Sequence, residues 1–93
     1  MIKVRVETFA NIREILKKKE VELMMGDYSS VWNLLTQLCD SYPRLRRVIF
    51  EDDKLSDHVI ILKNGRNIRW LDGLRTKLGD GDEIAMFPPV GGG

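Results

Sequence analysis

Cysteine and histidine each occur once in this 93-residue chain, at Cys39 and His58. An internal disulfide is therefore excluded, and no pair of Cys or His offers metal-ligand spacing. Long apolar runs are also missing. "VIIL" and "VIF" fall far short of the ~20 residues a bilayer-spanning helix needs, and "MIKVRVE" has no apolar signal-peptide stretch, so a soluble, cytoplasmic protein without a membrane partner is expected. Charge of one sign is not in excess either: 15 Lys and Arg against 14 Asp and Glu leave a net +1. No global field draws the chain to nucleic acid, and its partners must be selected by local surface.

Other kinds of chemistry are absent by pattern. His58 has no Ser or Cys nucleophile in a recognisable motif beside it and reads as a residue at the start of a strand. "GRNIRWLDGLRTKLGDGD" lacks both glycine spacings that cradle phosphates, so its glycines read as turns. Asp80, Asp82 and Glu83 lack the twelve-position loop of a calcium site and read as a solvated turn. Arg44, Arg46, Arg47, Arg66 and Arg69, with Trp32 and Trp70, lack the aromatic pattern of single-strand binding, which argues against a nucleic-acid partner. Cys39 sits one helical turn from Leu35 and reads as a small apolar filler.

What is present is a regular alternation of patterns. In "MIKVRVETF", Ile2, Val4 and Val6 share one face while Lys3, Arg5, Glu7 and Phe9 share the other, predicting a half-buried strand with an aromatic on its wet side. "ANIREILKKK" places Ile12, Ile15 and Leu16 at helical spacing with lysines at its end, where cations complement the helix dipole. "EVELMMGD" alternates again through Val21, Leu23 and Met25 and reads as a strand returning along the first. The main helix opens at Ser29 or Ser30, carries Val31, Leu34, Leu35, Leu38 and Tyr42 on one stripe, and stops before Pro43. "RLRRVIFEDD" predicts a further helical segment with Leu45, Val48 and Ile49 over one end of the core. Asn64-Gly65 in "HVIILKNGRNI" is a hairpin turn signal. A turn at Asp80-Gly81 leads to a last strand in which Ile84 and Met86 point one way and Ala85 and Phe87 the other. At this length the chain is one domain, burying about 60 to 65% of its unfolded surface. The order predicts an α+β fold, a mixed sheet with helices on one face, over residues 1–87.

The remaining segment, 88–93, reads "PPVGGG". Ordering each residue costs about 1 to 2 kcal/mol, most for glycine, so the glycines are expected to stay mobile until a partner holds them. Pro88 and Pro89 are expected to stiffen the exit and project the tail, giving a reach of roughly 20 Å. A side-chain-free tip suits entry into a narrow channel, and the α-carboxylate of Gly93, ionised at neutral pH, is the group able to attack an activated phosphate. By alternation Phe9 and Phe87 lie on the outer sheet face; with their strands adjacent they form an exposed apolar patch beside the tail, with Ile68 expected to join them.

"DGDEIAMFPPVGGG" resembles the C-terminal signature of the small subunit of molybdopterin synthase and its MoaD/ThiS-type ubiquitin-like sulfur-carrier relatives, and "IKVRVETFANIREI" is similar to the same family's first strand and short helix. Gly91 stands at the variable place of the tail pattern, leaving Gly92-Gly93 as the terminal pair. The resemblance implies a ubiquitin-like β-grasp fold and a carrier without catalytic residues of its own, binding no cofactor or metal. An adenylating enzyme of the ubiquitin-activating type would use ATP on the Gly93 carboxylate, and a sulfur donor would convert the adenylate to a thiocarboxylate. The large subunit of molybdopterin synthase would hold the tail through Pro88, Pro89, Val90 and Gly91 while sulfur passes to precursor Z, and the Phe9, Ile68 and Phe87 patch read from alternation would be its partner-binding surface. The same tail is compatible with tRNA thiolation, thiamine assembly, or a protein modifier joined to lysine by an isopeptide bond.

Overall fold

The computed structural model describes residues 1–89. Alternation sets the first element: Ile2, Val4 and Val6 are buried and Lys3, Arg5 and Glu7 face water along β1 (Ile2–Thr8). α1 (Ala10–Leu16) follows at once, burying Ile12 and Leu16, and ends where Lys17 turns left-handed at φ 60°. The lysines expected to close this helix therefore lie beyond it and form the turn into β2 (Glu20–Met25). β2 returns antiparallel to β1, with Leu23 opposite Val4 and Val21 opposite Val6.

α2 (Val31–Ser41) starts at Ser30, whose hydroxyl accepts from the Asn33 amide at 3.3 Å while Asn33 Oδ1 accepts from the Ser30 amide at 2.8 Å. This reciprocal cap satisfies two backbone donors at the helix start. Its buried stripe is Val31, Leu34, Leu35, Leu38 and Cys39, with Tyr42 half-buried at the far end. Pro43 does more than stop α2, because it occupies the first turn of α3 (Pro43–Ile49), where its missing N–H costs nothing. Leu45 and Ile49 are buried there.

The helical segment expected to run through "FEDD" stops earlier. β3 (Phe50–Glu51) and β4 (Lys54–Leu55) form a small antiparallel hairpin across Asp52 and Asp53, both left-handed at φ 48° and 68°. Short acidic side chains tolerate that region better than most. β5 (Ile60–Lys63) and β6 (Arg66–Asn67) pair across Asn64-Gly65 at φ 49° and 85°, the positive pair a tight hairpin requires. Two 3-10 turns, Ile68–Trp70 and Gly73–Arg75, lead towards β7 (Glu83–Phe87).

The main sheet has the order β2-β1-β7-β5-β6, with β1 and β7 parallel at its centre and the other neighbours antiparallel. This is the α+β, β-grasp arrangement expected of the sequence. Apolar residues of α1, α2 and α3 form one cluster with Val4, Val6, Ile61, Ile84 and Met86 from the inner sheet face. Each fully buried Val, Leu or Ile contributes about 1.5 to 3 kcal/mol. The outer face is left for contacts.

Candidate functional site

The parallel pairing of β1 with β7 brings two distant signatures together. Val6 lies opposite Ile84 and Thr8 opposite Met86, so the next residues, Phe9 and Phe87, meet at the ends of the two strands. Their rings stack with centroids 4.3 Å apart and planes 12° from parallel. Such a pair contributes about 0.5 to 1.5 kcal/mol beyond its area, and it fixes the point where the chain leaves the sheet.

Arg13 secures the Phe9 side of this stack. It donates from Nε (3.0 Å) and Nη2 (2.6 Å) to the Thr8 carbonyl, and its guanidinium carbon lies 5.4 Å from the Phe9 ring centroid. The Thr8 hydroxyl donates to the Lys18 carbonyl, and its amide to the Lys19 carbonyl at 3.0 Å. The "TFANIRE" stretch is thus a corner clasp, presenting an aromatic that is held from behind.

The "DGDE" half of the tail signature works differently. Asp80 Oδ1 accepts from the Lys3 amide at 2.8 Å, Asp82 Oδ2 from the Gly79 amide at 2.7 Å, and Asp82 Oδ1 from the Asn64 side chain at 3.0 Å. Asn64 in turn accepts from the Glu83 amide at 2.9 Å and donates its own amide to the Glu83 carbonyl at 2.8 Å. Gly81 takes φ 85°, as only glycine does readily. These residues pin the start of β7 between β1 and the hairpin turn, so the strand delivers Phe87 in register.

Across β7, Phe87 lies opposite Ile60 and Ala85 opposite Leu62. Ile60 is 41% exposed, and Phe9, Phe87, Ala85 and Leu62 are half-buried. Together they make an apolar patch on the outer face, continuous with the strand end. On the same face towards β2 the surface is charged, with Arg5 between Glu20 (3.2 Å) and Glu83 (3.1 Å) and Lys3 beside Glu22 (3.6 Å). An apolar sheet face left partly open and bounded by charged groups suits a protein contact.

Ile68 is not part of this patch. It is 4% exposed and belongs to the core, because the 3-10 turn that begins there rolls it inward after β6. Ile60 and Leu62 take its place. Their alternation in "VIILK" was readable, but their position beside Phe87 follows only from the β5–β7 register. Pro88 is buried and Pro89 half-buried, so Pro88 packs against the domain rather than beginning a free stalk. Val90, Gly91, Gly92 and Gly93 lie outside the described residues. Trp32 is 40% and Trp70 84% exposed, and His58 lies two residues ahead of β5. No helix among the described residues is long and apolar enough to cross a membrane.

A sequence profile of the ThiS family matches residues 6–93. The chain belongs to the ThiS family. Among relatives of this ThiS-family chain, small archaeal modifier protein 3 of Haloferax volcanii is 40% identical over 85 residues, covering 91% of this chain and 92% of its own. The molybdopterin synthase sulfur carrier subunit of Mycobacterium tuberculosis is 40% identical over 96 residues, covering 100% of both. The solution structure of small archaeal modifier protein 1 from Methanosarcina acetivorans superposes with a TM-score of 0.87 at 43% identity, covering 100% of this chain and 98% of that one. The ThiS-family chain is thus a ubiquitin-like protein of the sulfur-carrier and modifier kind.

Proposed function

We propose that the chain is the sulfur-carrying small subunit of a molybdopterin synthase. The Gly93 carboxylate attacks the α-phosphorus of ATP on a ubiquitin-activating-type adenylating enzyme and releases pyrophosphate. A sulfur donor then displaces AMP to leave a thiocarboxylate. The synthase large subunit receives the tail, and the sulfur passes to precursor Z, two carriers serving each pterin. The carrier contributes presentation: a fixed exit, an apolar docking patch and a tip without side chains.

The observation that carries this reading is the Phe9–Phe87 stack beside Ile60, placed directly ahead of the Pro88-Pro89 exit. The full-length match to a molybdopterin synthase sulfur carrier subunit supports the acceptor. A partner that grips the patch holds the tail at a set distance from its own active site, which is how remote binding orders a reacting group. Affinity purification of the tagged chain tests it: recovery of a synthase large subunit, lost with Phe87→Arg, is expected.

A second reading rests on a separate observation, the 40% and 34% identity to two small archaeal modifier proteins of Haloferax volcanii. There the adenylated Gly93 would be passed to lysine amines. Peptides carrying Gly93 in isopeptide linkage to lysine, found in cells without enrichment of the large subunit, would replace the carrier reading with this one.

A further inference from the structure

We infer that the groove beside Trp32 is a second docking site, sharing no residue with the Phe9–Phe87 patch, and that it takes an acidic peptide segment with an apolar anchor. The groove holds about 470 Å³ and is lined by Ser30, Trp32, Leu74, Arg75 and Lys77. Its walls are the indole of Trp32, 40% exposed, and the half-buried Leu74; among the described residues its charges are two cations, with no carboxylate lining it. Among the described residues neither Arg75 nor Lys77 forms an ion pair, and Lys77 Nζ makes one hydrogen bond, to the Tyr28 carbonyl at 3.3 Å.

The groove is built in advance. Val31 donates its amide to the Thr76 carbonyl at 2.9 Å and Leu78 to the Ser29 carbonyl at 2.8 Å, latching the 76–78 segment to the start of α2. Buried Thr76 accepts from the Asp72 amide at 3.1 Å and so holds the turn that carries Leu74 and Arg75. On the far side Trp32 meets Phe50 edge to face, 5.8 Å between centroids, and Phe50 lies 5.2 Å from the Arg46 guanidinium. A clamped aromatic is a low-entropy anchor for a ligand side chain.

Charge selects the occupant. The Ser30–Asn33 cap and the Val31 bond already occupy backbone donors at this helix start, so an anion is met by the Arg75 and Lys77 side chains. Two cations beside an apolar slot match one or two carboxylates flanking an aliphatic residue. A nucleic-acid strand instead wants a row of cations along its backbone and several open aromatic faces, whereas this groove offers two cations and one indole.

The test is an NMR titration of isotope-labelled full chain with a capped peptide of two leucines flanked on each side by two aspartates. Saturable shifts centred on Ser30, Trp32 and Leu74–Lys77 are expected, weakened by added salt. Arg75→Glu and Lys77→Glu, both at exposed positions, should each weaken binding about tenfold with the fold intact. Trp32→Ala should abolish it, and the charge reversals keep the test decisive if that variant is destabilised. Shifts centred on Phe9 and Phe87, no saturation, equal binding of a peptide with asparagine for aspartate, or tighter binding of a single-stranded oligonucleotide at the same residues would each overturn the assignment.

Discussion

Phe87 has two roles in one ring: it stacks on Phe9 to end the sheet, and it offers its remaining surface beside Ile60. Phe87→Arg and Ile60→Arg should therefore weaken docking to the proposed activating enzyme and large subunit by about tenfold or more, as loss of a central apolar anchor does. Calorimetric titration checks this, and unchanged affinities would contradict the patch. Ile68 separates packing from docking, since it is a core residue: Ile68→Ala should cost about 2 to 5 kcal/mol of stability in denaturant unfolding. Residual docking should persist in its folded fraction. Cys39 gives a pH prediction. Burial pushes its thiol up from the ordinary 9.0, with Arg46 pulling down and Asp40 pushing up more weakly. A raised folded-state value means the unfolded chain loses this proton first, so the contribution is full below about pH 9 and is lost as pH rises through the folded value. Cys39→Val should flatten the alkaline fall in stability, measured by unfolding at a series of pH values.

At the scale of elements, the turns carry the most sharply defined local requirements. Gly65 sits at φ 85° with open space around its Cβ position, so Gly65→Ala meets backbone strain and no clash. A loss of about 1 kcal/mol is expected in denaturant unfolding, whereas Gly26→Ala, at ordinary φ with its nearest neighbour 3.8 Å away, should be close to neutral. Elements with local causes were legible in the sequence: the alternation of β1, the apolar stripe of α2, the Ser30 cap and the Asn64-Gly65 hairpin. Elements whose causes are distant were not. The β3–β4 hairpin has two residues per strand, too few for alternation to register, and its Asp52-Asp53 turn continued the polar end of a helical pattern. Ile68 was misplaced because the 3-10 turn breaks the period of β6 at that residue. The lysines after α1 matched a favourable helix end, but the chain turns left-handed at Lys17 before reaching them. The aromatic half of the site was legible because alternation put Phe9 and Phe87 on one face. Its aliphatic half required the β5–β7 register, a long-range pairing that no local pattern contains.

For the whole molecule, the arrangement divides labour by surface. The inner face and helices hold the core, the outer face pairs charges near β2 and leaves apolar groups near β5, and the central parallel strands bring the two family signatures to one corner. On the proposed function, Gly93 is the residue that carries the sulfur. Intact-mass analysis after incubation with ATP, a cognate activating enzyme and a sulfur source tests it most directly. A sulfur carrier should gain the mass that replaces one oxygen by sulfur, located at the C-terminal peptide and absent when Gly93 is deleted from an otherwise folded chain. An unchanged mass, with the same enzyme shown to load another carrier, would contradict it.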